Sequence, residues 1–338
     1  MKIFRELYNL LTNTFIIRKF SNYFLPNCLI LYYHRVVSDK EFKKLAGPNL
    51  HLCVSEEQFK KQILFLKKNY EIIQISEIFN NKKKANKPKI CITFDDGYKD
   101  NLKIAFPIIK KYKIPITIYL ISRFFKGDYW VWWFELSDIL LKNKYLKFNF
   151  KGKNYNFLCS SYSKKNKVFF EIKNLIYKLN LNDQKKLIQL ISKNKKRPQY
   201  KNLFLNLRDI KYMSNFSFVN FGSHGHDHLN YKFSSSSEIL KDINYSKIAL
   251  KKIFNKDINN FCYPYGSLKE VNLNSRKLVS LYFKDAVSTE QNICNKYDRI
   301  FLPRISIGPN INIRDFKSKI IGFEFIIKFF FSKIVCTK

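Results

Sequence analysis

Short apolar runs rich in β-branched and aromatic residues recur along the chain, at residues 29–33, 89–94, 116–121, 216–222, 260–263, 284–287 and 304–307. Between them lie segments whose apolar positions repeat at helical spacing. Such alternation is the signature of parallel β/α units rather than of a sandwich. Seven parallel strands predict an α/β fold, an incomplete (β/α)7 barrel that is TIM-barrel-like but one strand short of the usual eight.

Helix signals stand where that reading needs them. Ser55-Glu56-Glu57-Gln58 is a capping box opening a periodic segment to about Asn69, and Ser235-x-x-Glu238 opens another. Residues 99–112 read as helix with a kink or break at Pro107, and Pro115 introduces the third strand. The exception to short connections is 126–215, a long insertion after the third strand. It opens on Tyr129-Trp130-Val131-Trp132-Trp133, which holds every Trp of the chain, and continues through Lys-rich helical sequence such as 180–196. The organisation expected is an amphipathic helical segment at 1–24, a barrel over 25–318 that includes the insertion, and an apolar tail at 319–338.

Composition adds a proper core and an unusual charge. With 338 residues, 46% of them hydrophobic and 33 of them Phe, the chain can bury one large core. The 62 Lys and Arg against 26 Asp and Glu give a net charge of +36, which raises nucleic acid or an anionic membrane as partner. Arg supplies only 10 of those 62, and the crowding of Asn, Ile, Phe and Tyr points to A/T-rich codons as the source of the bias. No nucleic-acid-binding motif appears, so no nucleic-acid partner is expected.

Seven scattered Cys (28, 53, 91, 159, 262, 294, 336) with no CxxC pair indicate reduced thiols rather than a disulfide framework or a cysteine zinc site. The longest apolar run before Pro26 is Phe15-Ile16-Ile17, too short for a signal-peptide core, so export by the usual route is not expected. No stretch reaches the length of a membrane span. The tail 320–331 is apolar apart from Gly322, Glu324 and Lys328, and as a helix it would either lie in a membrane interface or pack on the barrel.

Ionisable residues concentrate at the ends of two strands, where β/α barrels form active sites. Strand two runs into Asp95-Asp96-Gly97, and strand four into His224-Gly225-His226-Asp227-His228. Adjacent carboxylates after an apolar strand are either an exposed turn or a buried pair that needs a metal or a shared proton. His224 and His228, at i and i+4, share one face of a turn at metal-ligand spacing, and a carboxylate would complete a three-ligand site with open positions. Four of the five His (34, 224, 226, 228) sit at strand ends. His226 points away from its neighbours and is left out of the ligand set; His51, in a loop before a helix, is given no role.

Thr93-Phe94-Asp95-Asp96-Gly97, Ser223-His224-x-x-x-His228 and Phe261-Cys262-Tyr263-Pro264-Tyr265-Gly266 resemble the successive motifs of the polysaccharide deacetylases, the NodB-homology or carbohydrate esterase family 4 group. The likeness spans roughly residues 29–308 apart from the insertion. It implies Asp95 as general base, Asp96, His224 and His228 as ligands of a divalent metal, by default Zn²⁺, and the Tyr265 backbone N–H as oxyanion donor.

Three departures stand out. Gly225 replaces the usual Ser or Thr after the first His, removing a loop-bracing hydroxyl. Cys262 stands where the family often carries an Arg that orients the base; Arg304 either replaces that Arg from another direction or serves packing. The C-terminal Leu-x-His motif is missing around 300–308, whereas His34 closes the first strand. That resembles the circularly permuted branch, in which His34 would protonate the departing amine.

The resemblance thus implies hydrolysis of an N-acetyl group on a sugar of a polysaccharide or glycan precursor, releasing acetate. Alternatives are O-deacetylation, another amide, or an inactive glycan- or membrane-binding module. The aromatic cluster would pack the core of the insertion, stack on sugar rings or rest at a membrane. The basic surface, reduced thiols and apolar tail suggest work at the cytoplasmic face of a membrane, on an acetylated glycan or a lipid-linked sugar.

Overall fold

The computed structural model describes residues 28–44, 47–79, 87–193, 195–196, 198–291, 298–309 and 311–320. The expected helical segment 1–24 and the tail beyond Ile320 lie outside the described residues. All seven expected strands lie in one sheet: β1 (Cys28–Tyr33), β2 (Lys89–Phe94), β3 (Ile116–Leu120), β4 (Val219–Ser223), β5 (Asn260–Cys262), β6 (Asp285–Val287) and β7 (Ile305–Ser306). The spatial order is β6-β5-β4-β3-β2-β1-β7, with every pairing parallel. A parallel bridge from Val287 to Leu302 ties β6 to the segment entering β7, which itself pairs with β1. The sheet therefore curls almost onto itself. An additional strand, Glu71–Ile72, pairs with the start of β2, whose end pairs with β3.

Side-chain parity along the strands builds two cores. Leu29, Leu31 and Tyr33 of β1, with Ile90, Ile92 and Phe94 of β2, join the cluster that includes Phe59, Ile63 and Leu66 of the surrounding helix Glu56–Asn69. Each of those three helix side chains is fully buried and contributes roughly 2 kcal/mol. The intervening residues Cys28, Ile30 and Cys91 meet Tyr119, Cys262, Val287 and Leu302 in a second cluster inside the barrel. The same alternation carries Thr93 and then Asp95 into that interior.

The helix expected over 99–112 begins as a π-helical turn, Asn101–Ala105, before the α-helix Phe106–Tyr112. Pro107, lacking an N–H, follows directly on that π turn, where the hydrogen-bond ladder changes register. Between β3 and β4 the chain forms the helices Trp132–Lys142, Tyr162–Ile176, Leu181–Ile191 and Leu207–Ser214. It also forms the antiparallel hairpin Tyr145–Phe150/Lys153–Leu158, which the helical reading of this stretch did not include. Trp130, Trp132 and Trp133 pack into a core there with Leu136, Phe169 and Ile172. Among the described residues no helix is long and apolar enough to cross a membrane.

Candidate active site

The β2 strand delivers Asp95 and Asp96 to the C-terminal mouth of the barrel, both buried. Arg304, from the segment entering β7, reaches across the interior and grips Asp95 with two parallel bonds, Nη1 to Oδ1 and Nη2 to Oδ2, each 2.8 Å. Its Nε donates to the Ser288 carbonyl at 2.6 Å, and its Nη1 also to Thr93 Oγ1 at 3.0 Å. The Tyr32 ring lies beneath the guanidinium, 4.3 Å from its centre. Nη2 stands 3.1 Å from Cys262 Sγ, so the short thiol leaves room for the guanidinium in the interior. Burial pushes the Asp95 carboxyl up more than any single neighbour pulls it down, but the Arg304 charge and hydrogen bonds, together with His224 and His34, hold the group below its ordinary value.

Asp96 faces the two expected histidines. His224 Nε2 is 3.3 Å and His228 Nε2 3.6 Å from Asp96 Oδ1. His224 Nδ1 lies 2.8 Å from the Cys262 carbonyl, an arrangement that places the proton on Nδ1 and leaves Nε2 as a donor atom. Burial acts against ionisation of Asp96, yet the neighbouring histidines bring it below the usual carboxylate range. Burial and the adjacent His224 pull His228 down to about 3, which favours its neutral imidazole.

Asp96, His224 and His228 bring their ligand atoms within 4.8 Å of one another, and among the described residues Asp96 Oδ1 is a buried oxygen with no hydrogen-bond partner. An anionic oxygen and two imidazole nitrogens fit a divalent cation, which would take the place of the proton that the surrounding carboxylates favour on His224. Asp95, His224 and Cys262 also converge, but Arg304 already occupies both oxygens of Asp95 and contacts the thiol. A cation there would face the guanidinium charge, so the Asp96 set is the better fit.

The backbone at these positions is unusual. Asp96 (φ 69°), His228 (φ 56°) and Tyr265 (φ 63°) are non-glycine residues in the left-handed region. Conformations of that kind cost about 1–3 kcal/mol each and cluster at functional sites. The loop carrying His228 is braced by Asp242 of the helix Ser236–Phe254. Its Oδ1 accepts the N–H of His226 at 3.0 Å and of Asp227 at 2.6 Å, and its Oδ2 accepts the Tyr231 hydroxyl at 2.8 Å.

A carboxylate thus holds the loop that lacks the family's hydroxyl. Gly225 sits at φ 74°, and a Cβ there would come 2.5 Å from Asp242 Oδ2. Gly225→Ser is therefore expected to lose about 1–3 kcal/mol of stability and to lower turnover; thermal unfolding and kcat/KM check it, and unchanged values would remove this account of the loop.

Asp95, Asp96, His224, His228, His34 and Tyr265 all line one cavity of 380 Å³, while Arg304 lies behind its floor. His34 is fixed by Asn101, whose Nδ2 donates to its carbonyl at 2.8 Å, and by the ion pair between neighbouring Arg35 and Asp100 at 2.7 Å. Burial lowers the His34 pKa, with Asp96 and Asp95 opposing. Tyr265 accepts from Trp132 Nε1 at 3.1 Å through its hydroxyl, and its ring lies 4.8 Å from that of His228. Among the described residues its backbone N–H is engaged by no protein acceptor.

Trp132 and Trp133 both pack the insertion core and wall the cavity, Trp133 lying 5.2 Å from the His228 ring. His226 is absent from the cavity lining and its Nδ1 pairs with Ser122 Oγ at 2.8 Å. Sequence reasoning missed Asn49, Lys173, Tyr177 and Glu270 in the lining, and His51 lies there too although it was given no role.

The sequence model of the polysaccharide deacetylase family matches residues 82–282. A poly-beta-1,6-N-acetyl-D-glucosamine N-deacetylase of Staphylococcus aureus (strain MSSA476) is 25% identical over 298 residues, covering 83% of this chain and 79% of that protein. Among solved structures, the Streptococcus pyogenes deacetylase PplD in complex with acetate superposes with a TM-score of 0.56 at 19% identity, covering 86% of this chain and 96% of that one. IcaB from Ammonifex degensii superposes at 0.54 and 15% identity, covering 87% and 95%. The fold and the family match define a hydrolase acting on carbon–nitrogen bonds other than peptide bonds. The chain belongs to the polysaccharide deacetylase family.

Proposed function

We propose that the chain removes the acetyl group from N-acetylated sugar residues of a glycan by metal-dependent hydrolysis, leaving a free amine and acetate. The observation that carries this reading is the buried Asp95 carboxylate, fixed by the Arg304 fork, beside the Asp96, His224 and His228 donor set in one aromatic-walled cavity. Similarity to an N-deacetylase of an N-acetylglucosamine polymer, and to a deacetylase solved with acetate, supports the choice of bond and product.

Asp96, His224 and His228 would hold the divalent cation, Zn²⁺ by default. When bound, it supplies Lewis acidity that polarises the acyl carbonyl and acidifies the attacking water. Arg304 takes one lone pair on each Asp95 oxygen, so the other pairs remain free to accept the proton of that water. A carboxylate held below its ordinary pKa is a weak base, and it suits a water made acidic beforehand.

As the water oxygen bonds to the acyl carbon, negative charge gathers on the former carbonyl oxygen, and the Tyr265 N–H donates to it. Cleavage of the carbon–nitrogen bond then needs a proton on the leaving nitrogen. His34 lines the same cavity, and its lowered pKa makes its protonated form a stronger acid for that transfer. The Trp132 and Trp133 wall gives the sugar ring an apolar surface.

The test is acetate release from N-acetylated oligosaccharides. Wild-type protein is expected to release it and Asp95→Asn to lose about 10²–10⁴-fold in kcat while retaining its fold. Equal rates for the two proteins would overturn the assignment of the base.

A further inference from the structure

Lys173, from the insertion helix Tyr162–Ile176, lines the cavity but serves none of the steps above. Its Nζ stands 5.3 Å from the Phe170 ring centre and 5.1 Å from that of Tyr177. Among the described residues it donates no hydrogen bond and makes no ion pair. Glu270, in the same lining, is the carboxylate that acts on it electrostatically, but that carboxylate accepts the Ser267 hydroxyl instead. The other two cavity carboxylates are committed, Asp95 to Arg304 and Asp96 to the imidazole pair.

Two ring contacts order this group outward from the chemistry. The Tyr265 ring lies 4.8 Å from His228 and 4.4 Å from Tyr177, the ring beside which the Lys173 ammonium stands. Lys173 thus occupies the wall of the cavity beyond the reacting centre, where a neighbouring substituent or sugar would lie. A partly desolvated ammonium that lies against aromatic faces and has no ion pair among the described residues is stabilised by an anion that enters beside it. Burial disfavours its charged form, with Glu270 opposing.

The whole chain points the same way. Deacetylation turns a neutral sugar into a cationic one, and a protein of net charge +36 repels a chain of such products. A glycan that carries its own negative charge is attracted before the reaction and stays compatible with the surface after it.

We propose that Lys173 forms an anion subsite and that the substrate is an acidic glycan, bearing a carboxylate or a phosphate close to the N-acetylated sugar. This rests on the deacetylase reading above for the reaction, though not for the binding.

The experiment uses the full chain loaded with Zn²⁺ and three oligosaccharides of equal length. These are an N-acetylglucosamine homo-oligomer, an alternating N-acetylhexosamine–uronic acid oligomer, and the homo-oligomer bearing one phosphate monoester. Acetate release and calorimetric binding are measured for wild type, Lys173→Met and Lys173→Arg. Wild type is expected to favour one acidic oligomer by about tenfold or more in kcat/KM, chiefly through KM. Which acidic oligomer wins identifies the anion. In Lys173→Met the acidic-to-neutral ratio collapses towards one, and Lys173→Arg keeps it. A wild-type ratio near one, or a ratio that Lys173→Met leaves intact, overturns the subsite. If no oligomer yields acetate, the deacetylase reading fails, and the binding ratio with its response to Lys173→Met still decides the subsite.

Discussion

Replacing Arg304 by lysine is expected to lower kcat for acetate release by about 10²–10⁴-fold, the range in which a positioned general base contributes. Lysine keeps a positive charge but not the planar fork that meets both oxygens of Asp95 at 2.8 Å. The carboxylate would then rotate, and the oxygen that accepts the proton of water would lose its direction. Arg304→Ala goes further, since it leaves Asp95 as an uncompensated buried charge at a cost of about 3–5 kcal/mol. That variant confounds folding with catalysis, so thermal unfolding must accompany the rates.

A cleaner reading comes from restoring the guanidinium by another route. Cys262 lies 3.1 Å from Arg304 Nη2, on the facing strand β5. Cys262→Arg alone overpacks the interior, because Arg304 already fills it. Combined with Arg304→Ala it is expected to recover part of kcat, since the new side chain enters the vacated space and reaches Asp95 from the position the family often uses. No recovery in a folded double variant would argue that Arg304 acts through packing.

Loss of the donor set is expected to have the larger effect. Chelation should abolish acetate release, and added Zn²⁺ should restore it. His228→Ala should leave the chain without its cation as measured by elemental analysis, because two remaining donors do not make a stable site. Asp95→Asn, by contrast, is expected to retain the cation while losing turnover, since Arg304 rather than the donor set holds that carboxylate. Retained metal in His228→Ala would point instead to the converging Asp95, His224 and Cys262.

The barrel strands were legible because burial on both sides makes each a continuous apolar run, as in Cys28–Tyr33, where every residue is buried. Glu71–Ile72 was not, being two residues long and at most half-buried. The hairpin Tyr145–Phe150/Lys153–Leu158 escaped because its turn, Lys151-Gly152, hides in a Lys-rich stretch. Both turn residues have positive φ, and Gly between alternating apolar and polar positions was the signal available.

The residues now gathered around the cavity divide the same way. Asp95, Asp96, His224 and His228 announce themselves by spacing at strand ends. Asp242 and Lys173 do not, because each is one polar residue on a long helix, and only the fold brings Asp242 to the His228 loop and Lys173 to the cavity. His51 reads as a plain loop residue for the same reason, since only the fold shows its segment held at the cavity by the pairing of Cys53–Ser55 with Arg35–Val37 and by contact with the insertion.

The most direct measurement is acetate release from an N-acetylated oligosaccharide panel by purified, Zn²⁺-loaded protein, with and without chelator, beside Asp95→Asn. Release that needs the metal and nearly vanishes in the variant is the expected result. Absence of release from every compound by folded, metal-loaded protein, or release indifferent to both chelator and Asp95, would contradict metal-dependent deacetylation at this site.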